Sequence, residues 1–356
     1  MNRRNFIQKG IALSAAGLLS QTVRPQVLTG SIAAKSESSI IKPNRLKRGD
    51  KIGLIAPGFQ IREDQLEKSI QNLKIFGFQA VYSPHLLGKS GYFSGTDQER
   101  ADDINELFAN PEVKGIMAVK GGCGCTRILN LLDYQTIRKN PKVIMGFSDV
   151  TALLSAIHQE TGLITFHGPV SQTIYIDYNA MQFRRLIMNP RNTTLIESSS
   201  DDLKLSAEKP EYARYTITPG QAEGQLAGGN LSVLASMTGA KYQLNGKGKI
   251  IFIEEIDEDP YRIDRMLTQL IESGILPQAN GIMFGICRGC NTSKNQLSDS
   301  FSLREVIEDR IKPLGIPACY GLSFGHNIHN FTLPIGINTQ LDTERMTVKL
   351  TEKAVV

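Results

Sequence analysis

With 356 residues, 41% hydrophobic and 21% charged, the chain is long enough for two domains that each bury a core, and its composition excludes a disordered or fibrous protein. Of the formal net charge of +5, four come from Arg3, Arg4, Lys9 and Arg24 in a stretch without acidic residues; the near-neutral remainder lacks the basic face of a nucleic-acid binder. An odd count of five cysteines excludes a complete disulfide framework within one chain.

The first 34 residues open with paired arginines followed by an apolar run, the pattern of a twin-arginine export leader. That run is far below the roughly 20 residues a spanning helix needs, so the expectation is an exported, periplasmic protein with no stable membrane insertion after processing. A leader that does not function would leave the protein in the cytoplasm. A polar linker is expected at 35–48. Next, KIGLIA at 51–56, closed by Pro57-Gly58, predicts a buried strand, and Leu66, Ile70, Leu73, Ile75 and Phe76 give 64–76 helical spacing. The alternation continues with a strand at 80–82, a helix at 97–108, a strand at 114–119, a helix after Gly124, a strand at 143–145 and a helix at 150–161. Repeated βα units predict an α/β domain over 49–188, a Rossmann- or flavodoxin-like parallel sheet covered on both faces. In such sheets ligands collect beyond the carboxyl ends of the strands. The pattern dissolves at 189–215, rich in Ser, Asp and Glu, which reads as an interdomain linker. From 216 to 356 a smaller α+β domain is expected. It has a turn at Gly228-Gly229-Asn230 opening a helix, a strand at 249–253, a helix at 261–273, a strand at 281–286, a helix at 303–311 and short strands to the end.

Several residues on this frame have chemistry to offer. Ser148 follows the strand at 143–145 and a glycine, where a strand-turn-helix elbow would expose a nucleophilic hydroxyl; the same position suits an N-cap. The run Lys120-Gly121-Gly122-Cys123-Gly124-Cys125 ends another strand, and its amides could serve an oxyanion together with that of Asp149, or form an ordinary βα turn. It lacks the G-K-[ST] ending of a phosphate loop. A serine needs a base and an orienting partner. His326, in a loop flanked by glycine, is one candidate base; His167, directly after a strand, competes or shapes the pocket, and His329 reads as a surface residue. Glu254 is the first charge after the apolar strand 250–253 and can hold an imidazole. Its neighbours Glu255, Asp257, Glu258 and Asp259 lack calcium-loop spacing and read as a solvated acidic loop. Cys123, Cys125, Cys287 and Cys290 have no histidines at zinc spacing and read as buried thiols. Arg127, just past the glycine loop, is either a carboxylate clamp or a surface arginine.

Together these stretches resemble the LD-carboxypeptidase family of serine peptidases, which includes muramoyl-tetrapeptide carboxypeptidases and microcin-immunity peptidases. The resemblance rests on IAPG at 55–58, GTDQERADDINELF at 95–108, GGCG at 121–124, GFSDVTALL at 146–154 and HGP at 167–169. It continues with GGNLSVLASMTGA at 228–240, IEEIDEDPYRIDRML at 253–267 and GHN at 325–327. It implies an amidotransferase-like N-terminal fold, Ser148 as nucleophile, Glu254 as acid and His326 as base. The oxyanion amides would come from Gly121, Gly122 and Asp149. The implied reaction removes the terminal D-Ala of a muropeptide without metal or cofactor; a homodimer is allowed for. Two other readings stand beside it: hydrolysis of a peptide-nucleotide antibiotic, and a non-catalytic muropeptide-binding protein. Cys123 and Lys120 depart from the Tyr and Arg usual in the family, which bears on substrate preference.

Overall fold

The computed structural model describes residues 39–173, 177–291 and 300–356, so the leader read at 1–34 lies outside the described residues. In chain order the first part runs β1 (Lys51–Ile55), α1 (Glu63–Ile75), β2 (Gln79–Tyr82), α2 (Asp97–Ala109), β3 (Val113–Ala118), α3 (Tyr134–Lys139), β4 (Val143–Gly146), α4 (Thr151–Thr161) and β5 (Thr165–His167). These strands lie parallel in the order β5-β4-β3-β1-β2. Their sequences are near-continuous apolar runs because both faces are covered, and β1, β3 and β4 are buried almost throughout. The helix expected after Gly124 is a 3-10 segment, Cys125–Leu131, followed by the short α3. Helix α2 begins where Thr96 and Glu99 form a reciprocal capping box.

After α5 (Asp177–Phe183), the segment read as a linker at 189–215 carries β6 (Thr194–Ile196) and α6 (Ser200–Leu205). Its polar composition hides structure that tertiary pairing supplies, since β6 joins the antiparallel edge of a second sheet. The chain continues through β7 (Tyr215–Thr218), β8 (Gln221–Asn230), α7 (Leu231–Ser236), β9 (Lys249–Glu254), α8 (Pro260–Glu272), β10 (Gly281–Gly285), α9 (Leu303–Ile311) and β11 (Ala318–Leu322). It ends with β12 (Leu333–Ile335), β13 (Asn338–Asp342) and β14 (Thr347–Leu350). The second sheet is ordered β6-β14-β13-β8-β9-β10-β11-β7, with β8, β9, β10 and β11 parallel at its centre. Strand β12 leaves this half and pairs antiparallel with β5, completing the first sheet.

Strand β9 shows why the halves hold together. Ile250 and Phe252 point into a core shared with the first sheet, whereas Ile251 and Ile253 point the other way, into a core with Ile263, Leu267 and Leu270 of α8 and Ile307 of α9. Each of these side chains is fully buried or nearly so, contributing about 1.5–3 kcal/mol. Among the described residues no helix is long and apolar enough to cross a membrane.

Candidate active site

The carboxyl ends of β3, β4 and β5 in one sheet and of β9 and β11 in the other carry the polar groups singled out in the sequence. Strand β4 ends at Gly146, where a Cβ would come within 2.7 Å of Val150 Cγ1, so the chain can double back only with glycine there. Phe147 is extended, and Ser148 takes φ 63°, the left-handed region that a non-glycine residue enters at a cost. This turn lifts Ser148, half-buried, to the start of a short 3-10 turn that feeds α4. It is an elbow, not a simple N-cap, since Phe147 occupies the N-cap position of that turn and Ser148 is its first residue.

The glycine loop after β3 lies against this elbow. A Cβ on Gly121 would sit 3.1 Å from Ser148 Cβ and 3.3 Å from the Asp149 amide nitrogen. Gly122, at φ 115°, makes room for the Phe59 ring, which a Cβ would meet at 2.4 Å. The Asp149 carboxylate accepts the Cys125 amide at 2.8 Å, tying the elbow to the loop. Buried Arg100 fastens the same loop by donating to the Gly124 carbonyl at 3.2 Å and to that of Pro57.

Glu254 ends β9 fully buried, and its Oε2 lies 2.6 Å from Nδ1 of His326. The approach requires Gly325 at φ 93°, because a Cβ there would stand 2.6 Å from Glu254 Cβ. With Nδ1 occupied, Nε2 is the nitrogen left to face a substrate. The His326 ring packs edge-on against Phe147, centroids 4.8 Å apart, which sets it beside the residue preceding Ser148. Among the described residues no hydrogen bond joins the Ser148 hydroxyl to this ring; such contacts are often long before substrate binds. Burial opposes ionisation of Glu254, but the charge of His326 and the contacts of two imidazoles outweigh it and hold the carboxyl far below its ordinary range. On His326, burial pulls the imidazole down, while the Glu254 charge and hydrogen bond overcome it and leave it raised above its ordinary value.

Of the groups that complete the site, His167 stood out in the sequence as a rival base, whereas Asn179 and Asp202 carried no signal there. His167, at the end of β5, is fully buried with Nε2 3.8 Å from the other Glu254 oxygen. Glu255 belongs to no solvated loop: it is buried and accepts from Asn230 Nδ2, the Ser232 amide and the Ser232 hydroxyl. The loop 325–330 is pinned by Asp202 of α6, whose two oxygens take Asn327 Nδ2 at 2.7 Å and His329 Nδ1 at 2.8 Å. Asn179 of α5 binds the same loop at Ile328 and Asn330. His329, read as a surface residue, is therefore held.

Arg127 is not brought into the group. Its guanidinium makes a bidentate contact with Asp97 and is half-exposed, so its carboxylate partner is already in the chain. Lys120 stands over the Phe59 ring at 5.5 Å and lines a cleft of ≈ 740 Å³ of mixed charge, with Lys89, Glu63 and the Arg62–Asp64 ion pair. All five cysteines are free thiols, Cys123 exposed and the other four buried; burial pushes Cys290 and Cys319 up to about 12. Among the described residues no group of three or more His, Cys, Asp or Glu side chains is arranged to hold a metal ion.

Comparison with known proteins matches residues 52–168 to the family model described as LD-carboxypeptidase N-terminal domain and residues 223–341 to the LD-carboxypeptidase C-terminal domain. A probable murein peptide carboxypeptidase of Bacillus subtilis is 37% identical over 307 residues, covering 86% of this chain and 93% of its own. Among solved structures, the muramoyltetrapeptide carboxypeptidase from Oxalobacter formigenes superposes with a TM-score of 0.71 at 28% identity, over 84% of this chain and 97% of that one. MccF in complex with glutamyl sulfamoyl guanosine superposes with a TM-score of 0.77 at 25% identity, over 88% and 99%.

Proposed function

The chain belongs to the LD-carboxypeptidase family, and from that membership we propose its substrate, its reaction and the residues that carry it. It is a serine carboxypeptidase that hydrolyses the L,D-amide bond to the terminal D-Ala of peptidoglycan tetrapeptides, in cell-wall turnover. In this reading Ser148 attacks the amide carbon and passes its proton to Nε2 of His326, which returns it to the leaving amine. Glu254 holds the imidazolium, and water then releases the acyl group by the reverse path. The amides of Gly121, Gly122 and Asp149 receive the developing oxyanion; the close approach of Gly121 to Ser148 supports this assignment.

The observation that carries the reading is the 2.6 Å Glu254–His326 contact held next to the Ser148 elbow. Mass spectrometry of defined muropeptides after incubation with the purified protein tests it: wild type releases D-Ala from tetrapeptides and Ser148→Ala does not. Binding without release would favour a muropeptide-binding protein instead. Similarity to MccF supports a second reading, cleavage of a peptide-nucleotide antibiotic, which the same assay with such a substrate distinguishes. We also propose export through the leader at 1–34, so that the enzyme acts in the periplasm.

A further inference from the structure

Two imidazoles flank Glu254, and the proposed chemistry uses one of them. His167 reaches the site because Gly146 of β4 and His167 of β5 are register partners, which brings the second histidine to the same sheet edge as the Ser148 elbow. Its ring is fully buried, held edge-on between Phe147 at 6.2 Å and Phe252 at 5.1 Å. Neither ring nitrogen has a hydrogen-bond partner, and neither has Glu254 Oε1, from which Nε2 stands 3.8 Å away. Orphaned polar atoms in an apolar box are costly, and leucine or phenylalanine would fill the same space without that cost. The one feature at this position that an imidazole serves better is the buried carboxylate.

We propose that His167 is a positioning residue which, by facing Oε1, divides the charge of Glu254 and so sets the basicity of His326. The inference rests on the reading of His326 as the base. The charges acting on His326 are those of Glu254 and Glu255 at the end of β9 and of Arg288 beyond β10. From β4 and β12 the neighbours of His167 are Gly146, Phe147 and Leu333, none of which titrates. Replacing the His167 ring therefore changes the share of Glu254 charge that reaches His326 and leaves the other charges in place. With the second imidazole gone, the whole carboxylate charge favours protonated His326, so its titration moves to higher pH.

The test is an NMR titration of the His326 ring, assigned by its loss in His326→Asn, alongside the pH profile of kcat/KM for D-Ala release. His167→Leu should raise both the His326 midpoint and the acidic limb by about 0.5–1 pH unit, lowering kcat/KM below that limb by up to about tenfold. His167→Gln, which offers an amide N–H where Nε2 stands, should bring the midpoint back. His167→Phe keeps the ring volume and repeats the measurement if the leucine variant does not fold. An unmoved midpoint in the folded apolar variant, or equal shifts in the leucine and glutamine variants, overturns the proposal in favour of plain packing. The NMR midpoint needs no substrate, so a wild type that releases no D-Ala would sink the carboxypeptidase reading without touching this result.

Discussion

Ser148 carries the backbone strain of the elbow. A side chain at φ 63° costs about 1–2 kcal/mol, which the glycine at 146 and the packing of Val150 against it oblige the chain to accept. Two variants separate strain from chemistry. Ser148→Ala and Ser148→Gly should both lose D-Ala release by at least about 10³-fold, yet the glycine variant should be the more stable of the two by up to about 1 kcal/mol in denaturant unfolding. The Glu254–His326 pair makes a prediction in pH. Because His326 is raised, the acidic limb of kcat/KM should lie above about pH 6.5, and Glu254→Gln should move it down while cutting kcat by about 10³–10⁴-fold. For stability the two signs differ. The depressed Glu254 carboxyl contributes fully above its unfolded value of about 4.3 and loses that contribution as the pH falls toward its folded value. The raised His326 contributes fully below about 6.5 and loses it as the pH rises through its folded value. Thermal unfolding should accordingly show the largest gap between wild type and Glu254→Gln between about pH 4.3 and 6.5.

At the scale of elements, the histidine is only as fixed as the loop that bears it. Asp202 reaches that loop from α6, a helix of six residues, and holds residues on both sides of Ile328 with one carboxylate. Asp202→Asn keeps the shape but sets an amide N–H against one of the two N–H donors. The expected outcome is a kcat lowered about tenfold with KM little changed, and faster hydrogen exchange at 325–330. Strand β8 makes the matching contact with the start of α4, the helix that follows the nucleophile. Gly229, at φ 149°, lies where a Cβ would meet Thr151 Cγ2 at 2.3 Å, and the Asn230 amide donates to Thr151 Oγ1 at 3.0 Å. Gly229→Ala should push β8 off the start of α4, lowering stability by about 1–3 kcal/mol and activity with it, as paired unfolding and turnover measurements would show.

For the whole molecule, the described residues fall within one compact unit. One buried cluster runs from Ile52, Ile116 and Phe166 in the first sheet to Ile250, Phe252 and Met283 in the second. Strand β12 adds a segment from the second half to the first sheet. Unfolding in urea should therefore be a single transition, coincident by far-UV circular dichroism and by the fluorescence of the tyrosines; two separated transitions would mean independent halves.

Much of this architecture was legible in the chain itself. The βα alternation announced the parallel sheet because strands buried on both faces must be apolar throughout, and the glycines at 121, 122 and 146 marked turns where neighbouring groups leave no room for a side chain. Ser148, Glu254 and His326 stood out because each ends an apolar strand or lies in a glycine-flanked loop. Other features were out of reach of local pattern. The strand and helix within 189–215 exist through pairing with residues more than 100 positions away, and Glu255 and Asp202 are buried because their partners arrive from other elements. Sequence thus dictated which residues could do chemistry, since propensity and periodicity act over a few neighbours. Tertiary folding decided which of them share a carboxylate, because burial and charge depend on distances that a linear order does not encode.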